Sequence, residues 1–362
     1  METAKKRGAL KKLVILILAE LLLVAAVVWT FDPFYQYHAP FGRLPAVLTD
    51  RDNQVVGTIR NFCYDSVLLG SSVAENFDSD YLDMAYDCST LKVIRASGSV
   101  ADLLYYLEMA QEERGVELKN IFWCLDSFAM SASAEVTLYG RDTPRYLHTG
   151  SVLDDIPYLF NREVLLERIP YMLACGYQGR NTGGRAYDWS RDKEFSAAKA
   201  MQAYDRSGIN VVSNVEQRPV GEKAELIEEN ISLLTRQIAA HPETQYYFIL
   251  PPYSMLWWDC AYVNGEQEER FYILEQTLPE LLAFENVEVY FFQSEEEIVC
   301  NLDNYMDMIH YTPQVNQLML ERMVSGENRV TSENLETVLA ALRDMAHRIT
   351  QEEIYRYYPE QQ

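Results

Sequence analysis

The sequence has few of the residues that bind metal ions, and those present are widely spaced. It contains five histidines and six cysteines, with no CxxC, HxxH or HExxH pattern. Because dedicated zinc sites need such spacings, we predict no metal and no cofactor. The even number of cysteines permits disulfides outside the cytoplasm, but the spacing does not indicate which cysteines would pair.

Basic residues are also scarce beyond the N-terminus. Residues 31–362 carry 52 acidic and 26 basic side chains, a net charge of −26, because Glu2, Glu20 and five of the 31 basic residues come earlier. Such a surface repels phosphate backbones. There is also no basic stripe with interleaved aromatic residues, so we expect no nucleic-acid partner.

One long apolar run is present near the N-terminus. Leu13–Phe31 is nineteen residues long, is interrupted only by Glu20 and follows five basic residues. This length is typical of a membrane-spanning helix. We predict a basic cytoplasmic segment at 1–12, an anchor in the cell membrane at 13–31 and an extracytoplasmic remainder, by the positive-inside tendency. The alternative is a cleaved signal peptide, which exports the same domain, and Glu20 suggests contact with a partner membrane protein.

Five short apolar runs alternate with helical patterns after a membrane-proximal connection at 32–59. They lie at 65–70, 91–97, 119–126, 245–253 and 287–293. Branched and aromatic strands separated by helices predict an α/β fold with a mostly parallel five-stranded sheet and helices on both faces. We expect one extracytoplasmic domain over 60–362. An aromatic, glycine-punctuated insertion at about 131–220 interrupts the alternation and is either a cap over the strand ends or a surface insertion.

The first predicted strand ends in Gly70-Ser71-Ser72. A serine between a buried strand and a helix presents its hydroxyl at the edge of the sheet, where free helix N–H groups can stabilise an oxyanion. The same pattern is commonly only a turn with an N-cap, so a nucleophile needs further support.

That support lies after the last predicted strand, where Asp307 precedes His310 by three residues. A serine nucleophile needs an imidazole to take its proton. The imidazole in turn needs a carboxylate that fixes its tautomer and stabilises its charged form. Supplying both groups from one short loop before a helix would hold their geometry with few mobile parts.

These residues resemble the SGNH/GDSL hydrolase superfamily over most of residues 60–325, with Gly98 after the second strand as a further match. More narrowly, the stretches GSSVAENF, LDSF, PPYS and NLDNYMDMIHYTP resemble membrane-anchored SGNH-like proteins of Firmicutes. Those proteins are distantly similar to the D-alanyl transfer protein of teichoic acid modification and to envelope polysaccharide O-acetyltransferases. The resemblance implies an SGNH/flavodoxin-like fold.

The resemblance also implies roles for individual residues. Ser72 would be the nucleophile, His310 the general base and Asp307 its orienting partner. The N–H groups of Ser72 and Gly98 would donate hydrogen bonds to the oxyanion. Ser71 stands in the place of the family's aspartate and remains the alternative nucleophile, because the two serines are adjacent.

One position departs from the family pattern. The family's third block carries an asparagine that donates an N–H to the oxyanion, whereas this chain has Asp126 in that neighbourhood. An ionised carboxylate cannot donate a hydrogen bond, and losing one such donor costs about 10²–10³ in rate. Asp126 is therefore protonated, or binds an acceptor hydroxyl, or the protein is a weak hydrolase. Tyr253, at the end of the fourth predicted strand, is a further candidate for lining the site.

Together these features predict a membrane-anchored serine esterase or acyltransferase. Its substrate would be an ester on an envelope polysaccharide, a teichoic acid or another lipid-linked polymer. The alternative is a catalytically weak or inactive SGNH-fold protein that binds or assists in envelope assembly.

Overall fold

The computed structural model describes residues 2–137, 144–204, 206 and 215–358. The chain divides into two compact units. Unit 1 comprises the described parts of 1–62 and 142–183, and unit 2 comprises those of 63–141 and 184–362. The insertion at 131–220 contributes described residues to both units, and the predicted domain over 60–362 stays a prediction. Its role as a cap stays a prediction.

The helices and strands of the described residues are as follows. The α-helices are α1 (Glu2–Phe31), α2 (Arg51–Asn61), α3 (Ser79–Tyr86), α4 (Val100–Arg114), α5 (Ile156–Leu159), α6 (Ile169–Tyr177), α7 (Ala197–Gln202), α8 (Ala224–Ala240), α9 (Met255–Val263), α10 (Gln267–Leu282), α11 (Glu296–Val299), α12 (Pro313–Ser325) and α13 (Leu335–Gln351). The strands are β1 (Ser66–Gly70), β2 (Thr90–Ile94), β3 (Asn120–Cys124), β4 (Gln245–Leu250), β5 (Val287–Phe291) and β6 (Arg329–Val330).

Unit 1 contains the long helix α1 with α2, α5 and α6. Within the stretch Lys6–Phe31 of α1, a window of 18 residues has a mean hydropathy of 2.7 and is almost wholly exposed. By length and composition it is able to cross a membrane. Only its C-terminal end enters the core of unit 1, where Val28 is fully buried.

Unit 2 contains a six-stranded sheet in the order β2-β1-β3-β4-β5-β6. The first five strands are parallel, and β6 pairs antiparallel with β5 through Val289 and Tyr290. The predicted α/β class and the mostly parallel sheet are confirmed, but the predicted number of five strands is wrong. The sixth strand has only two residues, which is too short for a hydrophobic pattern to reveal.

Helices surround this sheet because its strands are apolar on both faces. Every residue of β1 and of β3 is buried. Successive side chains of a strand point to opposite faces, so both faces must be covered. Helix α4 begins at a capping box, in which the Ser99 side chain accepts from the amide of Asp102.

The strand order reverses between β1 and β3. From β1 the chain crosses to β2 on one side, and then returns past β1 to β3 on the other side. Ligands of doubly wound sheets bind outside the strand ends at such a reversal. Ser71 and Ser72 directly follow β1, and Asp126 follows β3 by two residues.

All six cysteines lie in described residues and are free thiols. Cys124 and Cys175 are buried, whereas Cys63 is exposed. The even number of cysteines therefore does not correspond to disulfides in this structure.

Candidate active site

The two adjacent serines lie in a tight turn at 70–74, here called the serine turn. A Cβ atom on Gly70 would lie 2.5 Å from that of Ala74, so only glycine lets the chain fold back on the strand here. Ser72–Ala74 forms a single 3₁₀ turn, and the α-helix begins only at Ser79. The expectation of a helix starting at the serine is therefore wrong, since one turn separates the strand from the helix.

Ser72, His310 and Asp307 form one chain of hydrogen bonds, although 238 residues separate the serine from the histidine. Ser72 Oγ lies 2.8 Å from His310 Nε2, and His310 Nδ1 lies 2.7 Å from Asp307 Oδ2. The His310 and Asp307 side chains are 23% and 25% exposed, so the site opens to solvent. The structure thus brings together the three residues that the sequence predicted to act together.

Asp307 is held as a carboxylate. Burial raises its pKa, but the hydrogen bond and the charge of His310, with the amides of His310 and Ile309, together lower it below the usual 3.8. Its Oδ1 accepts those two amides at 2.7 and 2.9 Å. An ionised Asp307 accepts the Nδ1 proton of His310, which leaves Nε2 free to accept the proton of Ser72.

Residues that follow β4 hold the Asp307–His310 loop in place by hydrogen bonds. The amide and the hydroxyl of Ser254 both donate to the carbonyl oxygen of Met308, at 3.0 and 2.8 Å. The hydroxyl of Tyr305 also donates to the carbonyl oxygen of Pro252 at 3.2 Å. The PPYS stretch thus positions the loop, a role that the sequence did not indicate for Ser254.

Ser71 faces a different partner from Ser72. Its side chain is buried and hydrogen-bonds to Asp126. The hydroxyl of Tyr253 donates to Oδ1 of the same carboxyl at 2.5 Å. Since the Ser71 hydroxyl donates to Asp126 and Ser72 contacts His310, the geometry favours Ser72 over Ser71 as the nucleophile.

Asp126 is 3% exposed at the end of β3. Burial raises the pKa of this carboxyl, against the hydrogen bonds from Ser71 and Tyr253 and the charge of His310. The side chain thus accepts hydrogen bonds from two hydroxyls, and it retains its own proton to a higher pH than an ordinary aspartate does.

The N–H of Gly98 has a hydrogen-bond partner within the chain. It donates to the carbonyl oxygen of Arg95 at 3.0 Å, and the role of Gly98 as an oxyanion donor stays a prediction. Sequence reasoning could not foresee the bond, because it depends on the turn that follows β2. Within the serine turn, the amide of Ala74 donates to the carbonyl oxygen of Ser71, and the amide of Glu75 donates to that of Ser72. These bonds leave the amide of Ser72 unused.

Sequence reasoning missed Trp189, which lies beside the triad. Its Nε1 donates to the carbonyl oxygen of Ser72 at 2.9 Å. Its ring contacts the His310 ring edge to face, with the centroids 5.3 Å apart and the planes at 87°. Its amide donates to Asn76 Oδ1 at 3.3 Å. Trp189 is one aromatic residue among many in the insertion, so the sequence carried no signal for it.

A buried lysine joins the Trp189 segment to the serine turn. Lys92 Nζ donates to the carbonyl oxygens of Glu75 at 2.9 Å and Ala186 at 3.0 Å. Burial lowers the pKa of Lys92 to about 7, against the attraction of Asp78, Asp188 and Glu75. These two bonds hold the segment that carries Trp189 against the residues that follow Ser72.

Among the described residues, no three His, Cys, Asp or Glu side chains are grouped as a metal ion would need. Comparison of the chain with protein-family models, with curated proteins and with solved structures finds no match. The argument for a function therefore rests on the geometry of the site itself.

Proposed function

We propose that the protein is a membrane-anchored serine esterase or acyltransferase of SGNH type, acting on an ester of a cell-envelope carbohydrate or lipid-linked polymer. The observation that carries this proposal is the hydrogen-bonded chain from Ser72 Oγ through His310 to Asp307, at 2.8 and 2.7 Å. It lies at the carboxyl end of β1, beside the reversal of strand order where doubly wound folds bind ligands.

The reaction proceeds in two acyl-transfer steps. Ser72 Oγ attacks the ester carbonyl carbon while His310 Nε2 takes the hydroxyl proton, and Asp307 stabilises the imidazolium that forms. The amide of Ser72, which the turn's own bonds leave unused, would donate to the oxyanion. His310 then gives its proton to the departing alcohol oxygen, which leaves Ser72 acylated. In the second step His310 removes a proton from water or from an acceptor hydroxyl, whose oxygen attacks the acyl carbon and releases Ser72.

The residues around the triad limit what can reach it. Asp126 is buried and accepts hydrogen bonds from the hydroxyls of Ser71 and Tyr253, so both of these partners come from the chain itself. The ring of Trp189 packs on His310 and excludes water from one side of the imidazole.

The anchor determines where this chemistry takes place. Helix α1 has the length and apolar composition of a membrane span. The basic residues before the span favour a cytoplasmic N-terminus and an extracytoplasmic catalytic unit. The catalytic unit would then be tethered beside the polymers assembled at the outer surface of the membrane, with Glu20 in the span available to contact a partner membrane protein.

A second candidate is a non-catalytic protein that binds or assists in envelope assembly. The small number of free oxyanion donors favours this candidate. The N–H of Gly98 already bonds to the carbonyl oxygen of Arg95, and the Asp126 side chain accepts hydrogen bonds from two hydroxyls. Each oxyanion donor lost lowers the rate of ester cleavage by about 10²–10³-fold.

Labelling with a fluorophosphonate separates the two candidates, since the probe reports an activated serine whatever the natural substrate is. We expect the full chain in detergent to be labelled at Ser72, as mapped by mass spectrometry. Ser72→Ala and His310→Ala should abolish labelling, whereas Ser71→Ala should retain it.

His241→Ala is the matched control for the histidine. His241 also pairs with a carboxylate, Glu117, at 2.8 Å, but it has no serine as a hydrogen-bond partner among the described residues. Loss of labelling in His241→Ala would indicate a general effect on folding. A folded wild-type chain that is not labelled would refute catalysis and favour the binding protein.

A further inference from the structure

Exposed apolar side chains are concentrated in one segment of unit 1. Outside α1, the described residues include thirteen large apolar side chains that are exposed, and eight of these lie within 152–177. They are Val152, Leu153, Ile156, Phe160, Leu166, Tyr171, Leu173 and Tyr177. Tyr177 is 95% exposed. Because the other five are scattered along the chain, this segment is an unusual surface for a protein in water.

The same segment packs against the C-terminal end of α1. Tyr158, Val164 and Ile169 form a buried cluster with Val28, and Val27 and Phe31 lie against it. One face of the segment therefore covers the last turn of the apolar helix. The eight exposed side chains lie on what remains of its surface.

A buried carboxyl at the end of α1 fixes this packing. The hydroxyl of Tyr158 donates to Asp32 Oδ1 at 2.6 Å and accepts from the amide of Phe34 at 3.1 Å. The rings of Tyr158 and Phe34 stack with their centroids 5.0 Å apart. Asp32 is fully buried and also accepts from the amides of Gln36, Tyr37 and His38. These contacts fix the position of the segment along the axis of α1, next to its C-terminal end.

We propose that residues 152–177 form a membrane-interface element that lies on the lipid surface beside the anchor, with its exposed apolar side chains among the lipid acyl chains. The proposal requires α1 to cross the membrane, but it is independent of the proposed chemistry. It assigns lipid as the partner of this surface.

The depth of the segment is the argument for lipid. An α-helix rises about 1.5 Å per residue, so Val28 lies only about 4.5 Å from the end of the apolar run at Phe31. Whatever packs on Val28 is therefore at the boundary between acyl chains and headgroups when α1 spans the bilayer. Amphipathic elements at this boundary insert their apolar side chains by about 5–10 Å.

The residue types fit the same boundary. Tyr171, Tyr177 and the exposed Trp29 of α1 are aromatic residues with a polar group, which are enriched at membrane surfaces. Charged side chains in the segment, such as Arg162 and Glu163, are exposed and able to reach the headgroups.

Depth-dependent quenching of a fluorophore tests the proposal on the full chain in phospholipid vesicles. The parent chain carries Cys63→Ser, which removes the exposed native thiol, and its residual labelling is subtracted. An environment-sensitive NBD label is attached to Leu153→Cys or, separately, to Leu166→Cys. We expect both labels to be quenched by bromine-labelled lipid and protected from aqueous iodide.

Two control positions make the outcomes distinguishable. Met84→Cys places the label on an exposed apolar residue of unit 2, which should be quenched by iodide. Leu18→Cys places it within α1, which should be quenched by lipid. Labels at 153 and 166 that behave like the label at 84, while the label at 18 reports lipid, would overturn the proposal and leave the anchor intact. Protection from both quenchers would also overturn it, because a second copy or another protein would then cover the surface. Tyr177→Cys replaces either position if that variant fails to fold.

Discussion

Replacing Asp126 by asparagine tests how the buried carboxyl behaves at the end of β3. The carboxyl is 3% exposed and accepts hydrogen bonds from Tyr253, at 2.5 Å, and from Ser71. Asparagine has nearly the same shape, keeps one oxygen for Tyr253 and does not titrate. The variant therefore removes the buried charge with little change in packing.

The sign of the expected effect follows from the raised pKa. Because the folded pKa exceeds the ordinary value of 3.8, the unfolded chain releases its proton first. The contribution of Asp126 to wild-type stability therefore falls as the pH rises from about 3.8 through the folded pKa, and stays lower above it. Each unit of pKa difference corresponds to about 1.4 kcal/mol. The lost acceptor for Ser71 costs the variant about 0.5–1.5 kcal/mol at every pH.

Thermal unfolding of the full chain in detergent, from pH 4 to pH 8, measures this effect. We expect Asp126→Asn to gain stability relative to wild type as the pH rises through that range. A constant difference between the two proteins would refute the raised pKa. It would also refute the explanation that this carboxyl keeps its proton above the usual range.

The remaining predictions concern Asp307 and Trp189, which both contact His310. Asp307→Asn should lower the rate of fluorophosphonate labelling by about 10²–10⁴-fold, because the imidazole loses the partner that fixes its tautomer. Because the pKa of Asp307 is lowered, its charge should stabilise the folded chain above pH 3.8, and this stabilisation should be lost as the pH falls below 3.8. A stability difference between wild type and Asp307→Asn that has already disappeared at pH 6 would contradict this. Trp189→Phe removes the Nε1 bond to the Ser72 carbonyl oxygen and should slow labelling by about 2- to 13-fold, as one hydrogen bond of 0.5–1.5 kcal/mol implies. Trp189→Ala should slow it further by also removing the ring from His310, and equal rates for wild type and both variants would exclude a positioning role.

The features predicted correctly are those that local patterns encode. Apolar runs at 65–70 and 119–126 predicted β1 and β3, because buried parallel strands read as continuous apolar stretches. Asp307 and His310 lie within one turn of each other, so their contact needs little from the rest of the fold. The contact of Ser72 with His310 was harder to predict, since the two residues are 238 positions apart in the sequence.

The features missed depend on contacts between distant segments. Strand β6 has two residues, and its pairing with β5 determines its conformation. The hydrogen bond from the Gly98 N–H to the carbonyl oxygen of Arg95 depends on the turn after β2. Trp189 gains its place from bonds made by Lys92 and Asn76, which lie in other parts of the chain.

The sequence by itself determined the apolar N-terminal helix, the α/β class and the residue types of a serine, histidine and aspartate site. These follow from local hydrophobicity, strand and helix periodicity, and the chemistry that each side chain carries. Only the tertiary structure decided which of two adjacent serines contacts His310, because both have the same local sequence signal. It did so by giving Ser71 a buried partner in Asp126 and leaving Ser72 for the imidazole. Hydrogen-bond partners are chosen by three-dimensional proximity, which the spacing of residues along a chain does not specify.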